Sequence, residues 1–167
     1  MSRAPKIVRN LRPTLLVVGE GDAEVELLKM LRDALCGNRQ GPSVTIRNAR
    51  GKGARSVIQD AIRIGRQGSY SKVAALFDTD TDWDDTVRAI GRRAKIHMLT
   101  QSPCLEAVLL ATNGHQCNGD TAHYKREYQR LYGGEAHRNV RQVFVLGNAI
   151  ASRQRLPEVD ALIQIFT

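Results

Sequence analysis

Carboxylates recur in this chain at the ends of apolar runs, where few other charges stand. Glu20 follows Leu15–Val18 almost directly, and Glu24 comes shortly after it. Asp78 and Asp80 follow Val73–Phe77, with Asp82, Asp84 and Asp85 behind them. Glu106 is the only charge in Pro103–Thr112, and an ionised group in so apolar a stretch needs a partner. If those runs are neighbouring parallel strands, about 4.8 Å apart, carboxylates at their ends converge within a space of about 10 Å. Carboxylates that close repel one another strongly unless a cation sits between them. Hard oxygen donors of this kind suit Mg2+ or Mn2+. Glu20, Glu24, Asp78, Asp80 and Glu106 are therefore candidate ligands of a divalent metal.

A basic counterpart lies between the first two acidic groups. Arg47, Arg50, Lys52 and Arg55 bracket a glycine turn, Ala49–Gly53. The backbone amides of that turn and the Lys52 ammonium can grip a phosphate. The four side chains are accordingly candidate contacts to a nucleic-acid backbone, the plainer reading being a solvated loop and helix start. Tyr124, Tyr128 and Tyr132, among Lys125, Arg126 and Arg130, can stack bases, but their helical spacing favours core packing.

Several acids have simpler roles open to them. Asp22 reads as the N-cap of a helix, Glu24 as a first-turn acid favoured by the helix dipole, and Glu26 as solvent-facing. Asp84 or Asp85 can cap the helix that follows, and Asp82 is divided between ligand and loop polarity. A calcium loop starting at Asp78 would need Gly at its sixth position and Glu at its twelfth; Trp83 and Ala89 stand there. A dinucleotide fingerprint starting at Gly19 would need Gly where Glu24 stands, and there is no Walker A sequence or nucleophile elbow. Cys36, Cys104 and Cys117 are widely and irregularly spaced. They read as buried or incidental thiols in a reducing cytoplasm. His115, Cys117 and His123, with Cys104 upstream, lack the paired spacing of a zinc knuckle and read as an ordinary loop.

The elements that must position these residues are legible in the apolar pattern. Thr14–Val18 reads as a buried strand, followed by a tight loop and a helix from Ala23 to Leu35. Ser43–Arg47 is a second strand, and Val57, Ala61 and Ile64 set a helix ending near Arg66. Val73–Phe77 is a third strand, Thr86–Arg93 a short helix and Lys95–Leu99 a fourth strand. Ser102 is placed as an N-cap, with Pro103 at the first position of a helix reaching Ala111. This alternation predicts an α/β fold, a mainly parallel sheet of about four strands flanked by helices. The last third is expected to be helical, with Tyr124, Tyr128, Leu131 and Tyr132 on one stripe and Val140, Val143, Leu146 and Ile150 on another. Pro157 opens a final stretch with Val159, Leu162, Ile163 and Phe166 inward. The expected organisation is a basic arm over 1–13, an α/β core over 14–112 and a helical extension of the same domain over 113–167.

The composition agrees with one folded domain: 167 residues, 42% hydrophobic and 25% charged. The net charge of +8 is built from opposed blocks. Residues 13–37 carry −3 and residues 73–85 carry −5, while residues 38–72 between them carry +7. Such a surplus favours an anionic partner. The apolar runs are too short to span a bilayer and no secretory hydrophobic region follows the basic start, so a cytoplasmic protein without membrane partners is expected.

Three of these motifs, in order and spacing, resemble the Toprim domain, in the group of the OLD and RloB-like nucleases. Glu20-Gly21-Asp22-Ala23-Glu24 resembles its E-G-x-x-E motif, and Asp78-Thr79-Asp80 its D-x-D. Ser102-Pro103-Cys104-Leu105-Glu106 is similar to a serine–proline–glutamate segment of RloB relatives, and Gly51-Lys52-Gly53 to a glycine–lysine turn. The resemblance covers about residues 14–112 and implies a Rossmann-like Toprim fold. It also implies a nuclease dependent on Mg2+ or Mn2+, cutting DNA or RNA in defence against phage or mobile elements. Glu20, Asp78 and Asp80 would hold a first metal, with Glu24 and Glu106 completing its shell or a second one. Glu20 would also relay a proton, and Lys52 would steady charge on the phosphate. OLD proteins carry an ATPase domain, so the implied partners are nucleic acid, a separate ATPase and a second copy of the chain. Two other readings compete. One is a nucleic-acid-binding or partner-regulating module without catalysis. The other is a receiver-like signalling domain with Asp78 as phosphoacceptor, which would need a lysine after a fifth strand.

Overall fold

Continuous apolar runs form the two central strands, and mixed runs form the two that flank them, among the described residues. A computed structural model describes residues 11–167. Most of the basic arm expected over 1–13 therefore lies outside the described residues. The strands are β1 (Thr14–Gly19), β2 (Ser43–Asn48), β3 (Lys72–Asp78) and β4 (His97–Gln101). They form one sheet in the order β2-β1-β3-β4, with every pairing parallel. Leu15–Val18 in β1 and Ala74–Phe77 in β3 are wholly buried. That is why these runs are continuously apolar rather than alternating: each has a layer of helices on both faces.

The helices α1 (Asp22–Leu35), α2 (Gly53–Gln67), α3 (Asp85–Arg93) and α4 (Leu105–Thr112) alternate with or follow the strands. Behind them come α5 (Thr121–Tyr132), α6 (Ala136–Val143), α7 (Leu146–Ser152) and α8 (Pro157–Gln164). Alternate strand residues serve opposite layers. Leu16, Val18, Ala75 and Phe77 pack against Val57, Ile58 and Ala61 of α2 and Val87 of α3. Leu15, Val17, Ala74 and Leu76 pack against α1 and α4, and the same cluster takes in Tyr128, Val140, Leu162 and Phe166 from the last third. The α/β architecture is Rossmann-like. The crossover through α1 leaves β1 in one direction and the crossover through α2 passes to the other side. The strand order therefore reverses between β1 and β3, and a crevice opens at their carboxyl ends.

Local boundaries show which interactions outweighed sequence signals. Gly21, not Asp22, is the N-cap of α1, and the Asp22 carboxylate instead accepts a hydrogen bond from Asn48 Nδ2 at 2.7 Å. β4 starts two residues later than the apolar pattern suggested, because Lys95 turns the chain with φ +56°. Ser102 does not cap α4 and Pro103 is not in it; the helix starts at Leu105 with Cys104 as N-cap. The expected stripe from Val140 to Ile150 is broken by extended backbone at Phe144 and Val145, which separates α6 from α7 and leaves Ile150 half exposed. Glu26 is not a free surface acid; it pairs with Lys29 and with Arg141 of α6, each at 2.6 Å. Arg12, within the expected arm, donates to the carbonyls of Cys36, Gln40 and Gly41 at 2.6–2.7 Å, closing the carboxyl end of α1.

Because Phe166 is fully buried in the same cluster as the strands, Phe166→Ala is expected to cost about 3–5 kcal/mol. Urea unfolding followed by far-UV circular dichroism measures it. A change below about 1 kcal/mol would mean that the last third does not share the core of the sheet.

Candidate active site at the carboxyl edge of the sheet

The crevice between β1 and β3 is where the carboxylates gather. Glu20 leaves β1 with its N–H donating to the Leu76 carbonyl at 2.9 Å, which keeps it in line with β3. Its Oε2 then accepts the Asp78 N–H at 2.9 Å. Asp78 in turn offers Oδ1 to the Leu105 N–H at 3.0 Å, supplying the acceptor that the first turn of α4 otherwise lacks. This explains why α4 starts at Leu105 and not at Pro103. Glu24 reaches back from α1 to accept the Gly21 N–H at 2.9 Å, half of a capping box, and is buried. Glu106 stands in the first turn of α4, half-buried, and makes no ion pair among the described residues. Two helix N-termini and two strand ends thus aim four carboxylates at one edge.

The protonation of two of them is shifted by burial, with the neighbouring charges added. Burial, with the charges of Glu20 and Glu106 added, raises the Glu24 carboxyl to about 7. Asp78 is pushed to about 8 by burial first, then by the charges of Glu24, Glu20, Glu106 and Asp80. The Cys104 thiol is raised to about 12, by burial above all and by Glu106 and Asp78 beyond that. One cation answers them. Lys125 on α5 lies close enough to Glu106, Asp78 and Asp80 for their charge to hold its ammonium above the ordinary lysine value, although partial burial works in the opposite direction. Lys125 sits one turn before the buried Tyr128, on the helix that packs against α4.

The acids behind Asp80 turn out to be mostly caps. Asp82 accepts the Arg55 N–H at 3.2 Å, closing the first turn of α2 from a different loop. Its other oxygen is buried without a hydrogen bond, 2.7 Å from where a Cβ on Gly53 would stand, so Gly53 (φ +77°) has no room for a side chain. Asp84 is the N-cap of α3, accepting the Val87 N–H at 2.8 Å. Asp85 pairs with Arg88 at the surface. Asp80 is exposed and takes the Thr81 hydroxyl at 3.0 Å. The single tryptophan, Trp83, lies on Phe77 with ring centres 5.0 Å apart and carries the Arg88 guanidinium on its ring.

The basic turn is fastened to the first acid through the backbone. Ala49 N–H donates to the Gly19 carbonyl at 2.9 Å and Gly51 N–H to the Glu20 carbonyl at 2.6 Å. Arg50 and Gly51 both have positive φ, and Asn48 Oδ1 accepts the Arg50 N–H at 2.7 Å. Arg47, Arg50 and Lys52 are exposed and Arg55 is half-buried; none makes an ion pair among the described residues.

Glu20, Glu24, Asp78 and Glu106 are thus brought together, with Asp80 on the same loop and the basic turn beside Glu20. Among the described residues, no three His, Cys, Asp or Glu side chains form the compact group of a preformed metal shell. Tyr124 Oη donates to the Cys117 carbonyl at 2.9 Å, and His115 packs edge-on against Tyr132. Of the tyrosines weighed for base stacking, Tyr128 is in the core and donates to Asn139 Oδ1 at 2.8 Å. Lys125 was not singled out by the sequence. Its helical spacing from Tyr128 was visible, but only the packing of α5 on α4 shows which side it faces.

Unfolded, Glu24 and Asp78 titrate near pH 4; folded, they titrate near 7 and 8. Between those limits the folded chain holds more protons than the unfolded one. The stability these two groups contribute is therefore present below about pH 4 and is lost as pH rises through about 8. In EDTA, the urea midpoint is expected to fall from about pH 5 to pH 8, and to fall less for Asp78→Asn, which keeps an acceptor for Leu105. A midpoint that climbs over this interval would contradict the repulsion described. Compared with protein-family models, with curated proteins and with solved structures, the chain matches none.

Proposed function

We propose that the protein is a metal-dependent phosphodiesterase acting on nucleic acid, with its active centre at the crevice between β1 and β3. The observation that carries this reading is the set of carboxylates gathered from α1, β1, β3 and α4 at one edge, of which Glu24 and Asp78 are raised in protonation, bordered by a basic turn. The donor set suits Mg2+ or Mn2+. It is all oxygen, and Glu20 and Asp78 each have one oxygen fixed by a backbone N–H while the other is free of hydrogen bonds among the described residues. Glu20, Asp78 and Asp80 would hold a first ion, and Glu24 and Glu106 would complete that shell or a second. Such an ion, when bound, polarises the scissile phosphate, lowers the pKa of a water and steadies the leaving oxygen.

The chain's own side chains have separate tasks. The backbone N–H groups of Asp78 and Leu105 fix the rotamers of Glu20 and Asp78, so little reorganisation is left for the reaction. The remaining oxygen of Glu20 can take or return a proton at the edge of the crevice. Lys52 on the basic turn and Lys125 on α5 would offer ammonium groups to a phosphate at the crevice. The Toprim resemblance supports this assignment and, with it, a role in defence against phage or mobile elements and an ATPase partner; a homodimer and, from the cysteine usage, a cytoplasmic location complete the proposal.

Incubation with labelled DNA and RNA in Mg2+ or Mn2+ tests the reading. Cleavage is expected to be lost in EDTA and to drop about 10²-fold or more in Glu20→Ala and Asp80→Ala. In Lys125→Ala the loss is expected in kcat and on the order of 10²-fold. No cleavage of any substrate, or unchanged cleavage by the two acid variants, would overturn it. Binding that survives EDTA with no turnover would favour a non-catalytic nucleic-acid module instead.

A further inference from the structure

The outer face of α2 carries two cations, Arg63 and Arg66, that continue the line of Lys52 and Arg55 beyond the site. Lys52, Arg55, Gln59, Arg63 and Arg66 follow one another at three- and four-residue steps, so they form a single stripe along the helix. Lys52, Gln59, Arg63 and Arg66 are exposed and Arg55 is half-buried. The opposite face, Ala54, Val57, Ile58 and Ala61, is wholly buried against the sheet. From Lys52 to Arg66 the stripe is about 21 Å long. As a crossover helix, α2 starts at the carboxyl edge, beside the basic turn, and ends at the amino edge. There Arg66 lines a groove with Val73, Ala94 and Ile96, and the exposed Arg92, Arg93 and Lys95 stand beside the last two. The only acid in α2 is Asp60, held by Arg63 at 2.8 Å.

Helix electrostatics do not explain this row. Cations near a helix C-terminus interact favourably with the dipole, which suffices for Arg66. Lys52 and Arg55 stand at the other end, where the dipole disfavours them, and the first turn has no acid of its own. A helix seeking an anionic membrane would keep an apolar face for insertion, and that of α2 is used up in the core. An extended polyanion fits better. Twenty-one ångströms of duplex axis carry about six phosphates per strand, at 3.4 Å of axis each, and the stripe faces those on its own side.

We propose that α2 is a binding track for the phosphate backbone of a nucleic acid, running from the candidate active site to the basic cluster of Arg66, Arg92, Arg93 and Lys95. The inference rests on the nucleic-acid partner proposed above but not on cleavage, and its test is made without metal. The probe is an end-labelled duplex of about 24 base pairs, followed by fluorescence anisotropy in EDTA between about 50 and 200 mM salt. The wild-type chain is expected to bind with a steep negative slope of log K against log salt. Arg63→Gln/Arg66→Gln is expected to make that slope shallower by about 1.8, at about 0.9 per lost phosphate contact, and to weaken all sequences alike. Arg130→Gln/Arg138→Gln, exposed changes on α5 and α6, should leave it unchanged. Absence of binding by the wild type, an unaltered slope in the α2 pair or an equal effect of the control pair would overturn the track. Cleavage assays on the same variants report separately on the active centre.

Discussion

Glu20 accepts the backbone N–H of Asp78, and Asp78 accepts the backbone N–H of Leu105. Through these two bonds the end of β1, the end of β3 and the start of α4 become one unit, and each bond uses a carboxylate where secondary structure would ordinarily use a carbonyl. The arrangement is costly, because burial and the neighbouring acids' charges raise the protonation of Glu24 and Asp78. Much of the surrounding structure can be understood as what keeps them there: an apolar double layer rigid enough to hold the strand ends, and helix N-termini whose partial positive charge faces the cluster.

The last third of the chain belongs to this arrangement. Tyr128, Val140, Leu162 and Phe166 complete the layer against α1 and α4, and that packing sets α5 where Lys125 meets the charge of Glu106 and Asp78. A segment with no acidic motif of its own thereby supplies a cation within reach of the acids' charge. The basic turn approaches from the other side, carried on backbone bonds to Gly19 and Glu20. Negative charge in the crevice and positive charge around it are separate features of one frame.

The buried strands were plain in the sequence because both faces of β1 and β3 are covered, which leaves a continuous apolar run that no turn residue interrupts. The acids were legible for a related reason: in a parallel sheet the residue after a strand is delivered to the same edge whatever its neighbours are. What failed to show were interactions made between elements. Ser102 carries a good capping side chain, yet the acceptor for α4 comes from Asp78, twenty-seven residues earlier. Asp82 looked as much like a ligand as like loop polarity, and its partner, the Arg55 N–H, belongs to a helix that precedes it. Lys125 was one of several cations in a helical stretch until the packing of α5 gave it a direction.

The loop from Thr79 to Asp84 is clasped at two points, by Asp82 on α2 and Asp84 on α3. Loops at this edge of an α/β sheet are ordinarily where a fold diversifies, lengthening to suit new ligands. Here an inserted residue would pull one carboxylate off its helix, and the buried unpaired oxygen beside Gly53 leaves no slack for a compensating shift. The length of this segment is thus tied to two helices at once, and the crevice has more room to vary elsewhere along its rim.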